Sequence, residues 1–282
     1  RTPKKCKFLA NKFKIKNYYK DFKSMIKNNN LDGIMILVSA EQTYNVVKKL
    51  LPYKIPLFIE KPAGLNYREC KKLSLISQKY STPNMVGYNR RFYSIFHKGI
   101  KKISEYGNLV GISIEGHERF WKVKNNKRSN KVLNSWLYIN STHTIDLLNF
   151  FGGRYSKIKS FNSSKYNNNP DQFNLIIKFK NGCLGTYISN WYSPGGWSVK
   201  LFGEGVTVEF NPLEKGYWYN TNFKKRKILP SKYDLKFKYG FYEQLNSFIH
   251  LMKYRKNIWP SIDLNKACIT MKMAEKLIKK QN

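Results

Sequence analysis

The sequence has no long apolar run. Its clean stretches, such as Ile34 to Val38, are five residues long, whereas a bilayer-spanning helix needs about 20. The basic start Arg1-Thr2-Pro3-Lys4-Lys5 is not followed by the apolar core of a secretory signal. Cysteine is scarce as well. Cys6, Cys70, Cys183 and Cys268 form neither a CxxC nor a metal-ligand spacing, so they read as reduced core residues of a soluble, cytoplasmic protein with no metal and no membrane partner. Acidic residues number only 17 against 52 basic ones, a formal net charge of +35. Such a charge points to nucleic acid or an anionic surface. The basic residues, however, are mostly Lys spread along the chain, in company with abundant Asn, Ile, Tyr and Phe. Codons rich in A and T produce that bias, so nucleic acid is not expected as a partner.

What is present is material for a large core. With 282 residues, 41% of them hydrophobic, the chain buries most of its apolar surface without disulfide or metal staples. Its first half alternates two patterns. Helical spacing (Cys6, Leu9, Ala10, Phe13; Phe22, Met25, Ile26; Tyr44, Val47, Leu50, Leu51; Cys70, Leu73, Ile76) alternates with runs that read as fully buried strands over 33–38, 55–59 and 85–88. Strands buried on both faces and separated by helices predict a parallel, Rossmann-like α/β sheet.

After Phe92 the pattern changes. A helix over Phe92–Ile103 precedes an alternating strand, Leu109 to Glu118, then a basic loop, Lys122 to Lys131, and a helix that stops at Gly152-Gly153. Strands with turn signals at Asn181-Gly182, Pro194-Gly195-Gly196 and Gly203-Glu204-Gly205 follow, which predicts a large, open, mainly antiparallel sheet in an α+β domain. Helices over 240–256 and 264–280 close the chain. The expected division is 1–91 for the parallel domain and 92–282 for the second, with the last helix packing back on the first.

Ligands of open α/β sheets bind at the carboxyl ends of the strands. Those ends are Ser39-Ala40-Glu41-Gln42, Glu60-Lys61-Pro62 and Asn89-Arg90-Arg91. Pro62 keeps Lys61 out of the helical region; Glu60 and Lys61 are either a presented ammonium site or a solvated pair. In Asn140-Ser141-Thr142-His143-Thr144-Ile145-Asp146, His143 and Asp146 are three apart and can share one helix face. An imidazole beside a carboxylate can accept a proton near neutral pH, though a buried capping role is the alternative. His97, His117 and His250 lack partners at ligand spacing.

These segments, their order and their separation resemble the glucose-fructose oxidoreductase / inositol dehydrogenase / rhizopine-catabolism (Gfo/Idh/MocA) family. The matching residues are Glu60-Lys61-Pro62, Val86-Gly87-Tyr88-Asn89-Arg90-Arg91-Phe92, His143-Thr144-Ile145-Asp146 up to Gly152-Gly153, and Pro260-Ser261-Ile262-Asp263 with Met273-Ala274-Glu275. The resemblance implies hydride transfer between a sugar, nucleotide-sugar or cyclitol carbinol carbon and NAD or NADP. It places Lys61 beside nicotinamide and reacting hydroxyl and makes His143 the acid/base. Arg1, Ser39, Ala40, Glu41, Tyr44, Glu60, Lys61, Pro62, Asn89, Arg90 and Arg91 would contact the cofactor. For Lys61 itself to serve as base, its pKa would have to fall from about 10.4 towards 7–8; His143 needs no such shift and is assigned the proton.

Three departures stand out. The position four before His143, often acidic in the family, is Ile139, and Asn140 is expected to hold substrate instead. The family's Thr-Pro-Asn is Ser39-Ala40-Glu41, and its following His is Tyr44. No Gly-x-Gly-x-x-Gly occurs, so a pyrophosphate loop is missing. The expectation is a partial sequence whose parent is a dehydrogenase, with Arg1 at the ribose favouring NADP; the alternative is a complete chain that binds sugar or serves as a scaffold without a dinucleotide. Trp121, Tyr138, Asn140, Tyr192 and Trp197 either line a carbohydrate pocket with Lys61 and His143 or are core aromatics. An open sheet with one exposed face predicts a homodimer or homotetramer.

Overall fold

The computed structural model describes residues 3–126 and 128–279. Arg1 and Thr2, and the last residue of the helix expected over 264–280, lie outside the described residues. Helices α1 (Pro3–Lys12) and α2 (Phe22–Lys27) lead into strands β1 (Ile34–Ile36), β2 (Leu57–Ile59) and β3 (Asn84–Val86), separated by α3 (Ala40–Leu50) and α4 (Tyr67–Tyr80). The strands pair in parallel in the order β1-β2-β3, and helices supply the crossovers because a hairpin cannot join parallel neighbours.

β2 and β3 are buried throughout. β1 corrects the expectation of burial on both faces: it is the edge strand, and Met35, Leu37 and Val38 are exposed. α1 is a second correction. Its apolar residues recur at helical spacing, yet Ala10 is buried while Leu9 and Phe13 are exposed and Cys6 is only half-buried. Periodicity reports which residues share a face, not whether anything covers that face.

The second part contains α5 (Ser94–Tyr106), β4 (Leu109–Gly116), α6 (Phe120–Lys124), α7 (Asn130–Asn134) and α8 (Thr142–Gly152). Strands β5 (Tyr155–Ser163), β6 (Gln172–Phe179), β7 (Leu184–Asn190), β8 (Trp197–Gly203), β9 (Val206–Phe210), β10 (Gly216–Asn220) and β11 (Arg226–Ile228) complete an eight-stranded sheet ordered β11-β10-β9-β8-β4-β7-β6-β5. All its pairings are antiparallel except β4 with β7, because β4 is inserted between β7 and β8. The basic stretch expected to be a loop instead holds the end of α6 and the start of α7. Ser129 starts α7 by accepting a hydrogen bond from the Val132 amide.

The chain closes with α9 (Lys232–Lys236), α10 (Phe241–Tyr254) and α11 (Leu264–Ile278). α11 lies against α4 and α8. Asp263 caps its start, and Cys268 on α11 meets Cys70 on α4 with sulfurs 3.2 Å apart. One hydrophobic core runs from the small sheet through α8 into the large one. It holds the carboxyl ends of β2 and β3 against the segment that opens α8.

Candidate active site

Glu60-Lys61-Pro62 follows β2 directly, and the Lys61–Pro62 peptide is cis. Glu60 folds beneath the end of β3, where glycine at 87 leaves it room: a Cβ there would stand 3.1 Å from Glu60 Oε2 and 3.2 Å from the Phe58 ring. Lys61 reaches across to the second sheet's side and donates from Nζ to the Ile139 carbonyl oxygen at 2.6 Å. That carbonyl belongs to a turn wound as a π-helix, Leu137–Ser141, which runs straight into α8. Such turns recur where a helix must present side chains out of regular phase.

Arg90, just beyond β3, brings NH1 to 3.0 Å from His143 Nε2 and 2.7 Å from Asn89 Oδ1, and its guanidinium stands 5.2 Å from the Trp197 ring centre. A guanidinium has no acceptor atom, so Nε2 of His143 accepts and the ring proton sits on Nδ1. His143 is buried, and burial, reinforced by Lys61 and Arg90, pushes its imidazole well below the usual range. Its Nδ1, like Arg90 Nε, has no protein partner among the described residues. Burial, then Arg90, lowers Lys61 to about 8, against the opposing pull of Glu60 and Glu118. The amine thus falls in the range that proton transfer at Lys61 requires.

Beside these groups lies a cleft of about 400 Å³ whose walls include Asn140, Trp136, Trp197, His117 and Glu118. Sequence reasoning missed Glu118. Its carboxylate is buried and accepts from Ser141 Oγ at 2.8 Å, Asn140 Nδ2 at 2.7 Å and Trp136 Nε1 at 3.3 Å. Burial pushes its pKa up. The signal was available in the alternation of β4: Ile112, Ile114 and Gly116 are buried, and the same phase two residues on places an acid inside.

Several expected site residues lie elsewhere. Arg91 turns inward and forms a two-pronged ion pair with Asp146, Nε to Oδ2 at 2.6 Å and NH2 to Oδ1 at 2.9 Å. It is therefore not offered at the strand end, and Asp146 is not the partner of His143; Thr270 Oγ1 also donates to it at 2.8 Å. Asn89 is buried, its amide spent on the Tyr239 carbonyl and Arg90. Ser39 stands at the start of α3, Ala40 in its first turn, and Tyr44 packs part-buried against the core. Glu41 accepts from Ser129 Oγ at 2.7 Å, joining α3 to α7. Asn140 and Trp197 line the cleft, whereas Trp121, Tyr138 and Tyr192 do not; Tyr192 instead donates to Asn167 Oδ1 at 3.0 Å. Among the described residues no group of three or more His, Cys, Asp or Glu is gathered for a metal, and no helix is long and apolar enough to cross a membrane.

Parallel strands whose carboxyl ends carry a part-buried Lys61 and Arg90, set against the turn before α8 and the buried His143, define a Rossmann-like domain joined to a second domain with a larger sheet. The chain belongs to the Gfo/Idh/MocA family: the model of the oxidoreductase family with an NAD-binding Rossmann fold matches residues 1–88, and that of the GFO/IDH/MocA C-terminal domain matches residues 104–209. The rhizopine catabolism protein MocA of Rhizobium meliloti is 27% identical over 74 residues, a match spanning 26% of this chain and 23% of that protein's length. Levoglucosan dehydrogenase in complex with NADH shares the fold at a TM-score of 0.80 and 15% identity, covering 98% of this chain and 85% of that one. UDP-N-acetylglucosamine 3-dehydrogenase from Acidithiobacillus ferrooxidans does so at 0.77 and 11%, covering 99% and 86%. An oxidoreductase from Agrobacterium radiobacter, in complex with NAD+, L-tartaric acid and magnesium, matches at 0.77 and 14%, covering 97% and 84%.

Proposed function

We propose that this chain carries out hydride transfer between NAD or NADP and the hydroxyl-bearing carbon of a sugar, nucleotide sugar or cyclitol, with residues 1–91 serving the nucleotide and 92–282 the substrate. The observation that carries the reading is Lys61. It sits at a strand's carboxyl end, where open α/β sheets bind ligands, it reaches the turn whose Asn140 lines the cleft, and its pKa is lowered to about 8.

The residues present fit the nicotinamide end of a dinucleotide. Ser39, Ala40, Glu60, Lys61, Pro62 and Arg90 stand at the strand ends, and the buried Arg90 Nε has no protein partner among the described residues. No glycine-rich pyrophosphate loop occurs in the sequence. When bound, the nicotinamide supplies the hydride acceptor or donor. The chain's own part is proton management. A hydroxyl loses hydride only as its proton leaves, so a base within about 3 Å is required. Neutral Lys61 takes that proton at Nζ, while the Arg90 guanidinium favours negative charge developing on the oxygen. His143, with Nε2 already occupied by Arg90, orients Arg90. The proton given to His143 on sequence grounds is therefore reassigned to Lys61.

Oxidation then needs the free amine, so its rate should rise with pH through about 8 and level off, whereas carbonyl reduction, which needs the ammonium, should fall over the same interval. Fluorescence titration with NADH and NADPH tests the reading directly; absence of any saturable signal would favour a sugar-binding or scaffold role instead. The outer face of the large sheet exposes Val110, Phe161, Ile176, Leu184 and Phe202. This supports association into a dimer or tetramer through that face, and light scattering should return a mass above the 33.3 kDa of one chain.

A further inference from the structure

We propose that Glu118 is a positioning residue of this site: its buried carboxylate pins the Leu137–Ser141 turn, fixes which way Asn140 faces the cleft, and places a negative charge against the residue next to the carbonyl that receives Lys61. The proposal rests on the role given to Lys61 above, but its test requires neither cofactor nor substrate.

The geometry carries the first two parts. Glu118 follows β4, whereas its three donors come from the segment running into α8. Ser141 occupies Oε1; Asn140 and Trp136 share Oε2. A carboxylate is acceptor-only and can satisfy several donors at once. It thereby ties positions 136, 140 and 141 to one point, and Ile139, between them, is left with its carbonyl towards Lys61. The Asn140 amide has no freedom to flip. Its NH2 must face Glu118, so Oδ1, which takes no protein donor among the described residues, is the atom left for the cleft. An acceptor at that position, backed by a buried anion, suits a ligand that brings a hydroxyl donor and disfavours one that brings a carboxylate or phosphate to the same point.

The charge carries the third part. The groups facing Lys61 are Arg90, Glu60, Glu118 and the buried His143. Arg90 opposes its protonation; Glu60 and Glu118 favour it. Glu60 is tethered to the same strand end as Lys61, so the acids reach the amine from two sides: Glu60 from the small sheet, Glu118 from the large one.

The test is competitive acetylation of the full chain, with the modified lysines read by mass spectrometry from pH 6 to 10 (a working interval of roughly two units either side of the amine's midpoint). The exposed Lys157 serves as internal reference. Glu118→Gln keeps the size of the side chain and removes its charge. Lys61 in this variant should acetylate up to about threefold faster at pH 7 relative to Lys157, because half a unit of pKa is about threefold in free amine and Glu118 is the weaker of the two acids acting on it. The exchanged pair Glu118→Gln with Asn140→Asp restores one carboxylate and one amide in the same hydrogen bond, so its rate should return towards that of the parent. This double variant also provides a reading should the single one fail to fold. An unchanged pH dependence in folded Glu118→Gln, or a double variant as fast as a site without an acid, would overturn the proposal. Failure of nicotinamide binding or of turnover would instead remove the oxidoreductase reading and leave these rates unaffected.

Discussion

Lys61→Ala should lower turnover by roughly 10²- to 10⁴-fold, the range measured when a positioned acid or base is removed. Lys61 is the amine whose pKa lies at about 8, and no other described lysine is hydrogen-bonded to the turn before α8. Lys61→Arg separates charge from proton transfer. It retains a cation opposite the Ile139 carbonyl but cannot surrender a proton at any working pH, so it should be nearly as slow as the alanine variant and lose the pH limb near 8. Steady-state rates followed by nicotinamide absorbance, alongside far-UV circular dichroism to establish folding, check this. Activity within about tenfold of the parent for Lys61→Ala would refute the assignment.

The second large effect concerns stability. Asp146→Asn should destabilise the fold by about 3–5 kcal/mol, because it leaves the buried guanidinium of Arg91 without its counter-charge. Arg91 and Asp146 have side chains only 9% and 1% exposed, and the same carboxylate also accepts from Thr270 on α11. The break would therefore loosen β3's exit, α8 and α11 together. Replacing both partners by apolar residues of similar volume should recover most of the loss, since a buried ion pair contributes little beyond matching its own desolvation. Denaturant titrations of the three proteins give the comparison; a single Asp146→Asn change costing under about 1 kcal/mol would contradict the pairing.

Much of the architecture was legible because it depends on local pattern. The buried runs at Leu57–Ile59 and Asn84–Val86, the amphipathic helices between them, and the alternation along β4 and β6 follow from side-chain periods of 2 and 3.6. The stop of α8 at Gly153, where φ is +77°, follows from glycine's freedom in that region. Glu60-Lys61-Pro62 and His143 were recognisable as a site by their order along the chain. Less legible was anything that needed to know what lies opposite. The apolar β1 reads as buried, but it is an edge; Phe13 has the spacing of a core residue, yet it is 63% exposed.

The same limit runs through the site. His143 and Asp146 lie one helical turn apart and look like a catalytic pair on sequence spacing, but α8 divides them: one meets Arg90, the other Arg91. Adjacent arginines leave the chain in different directions, and no periodicity announces which goes inward. Glu118, 25 positions before His143 in the sequence, has no motif around it and becomes part of the site only through three donors on another segment.

By itself, then, the sequence determined the fold class, the family and the two segments that meet at the cleft, because strand burial, helix spacing and turn chemistry are written in neighbouring residues. Tertiary structure alone decided which charges face each other. Burial and neighbouring charge set the protonation of Lys61 and His143, and both are properties of the space around a side chain rather than of its position along the chain.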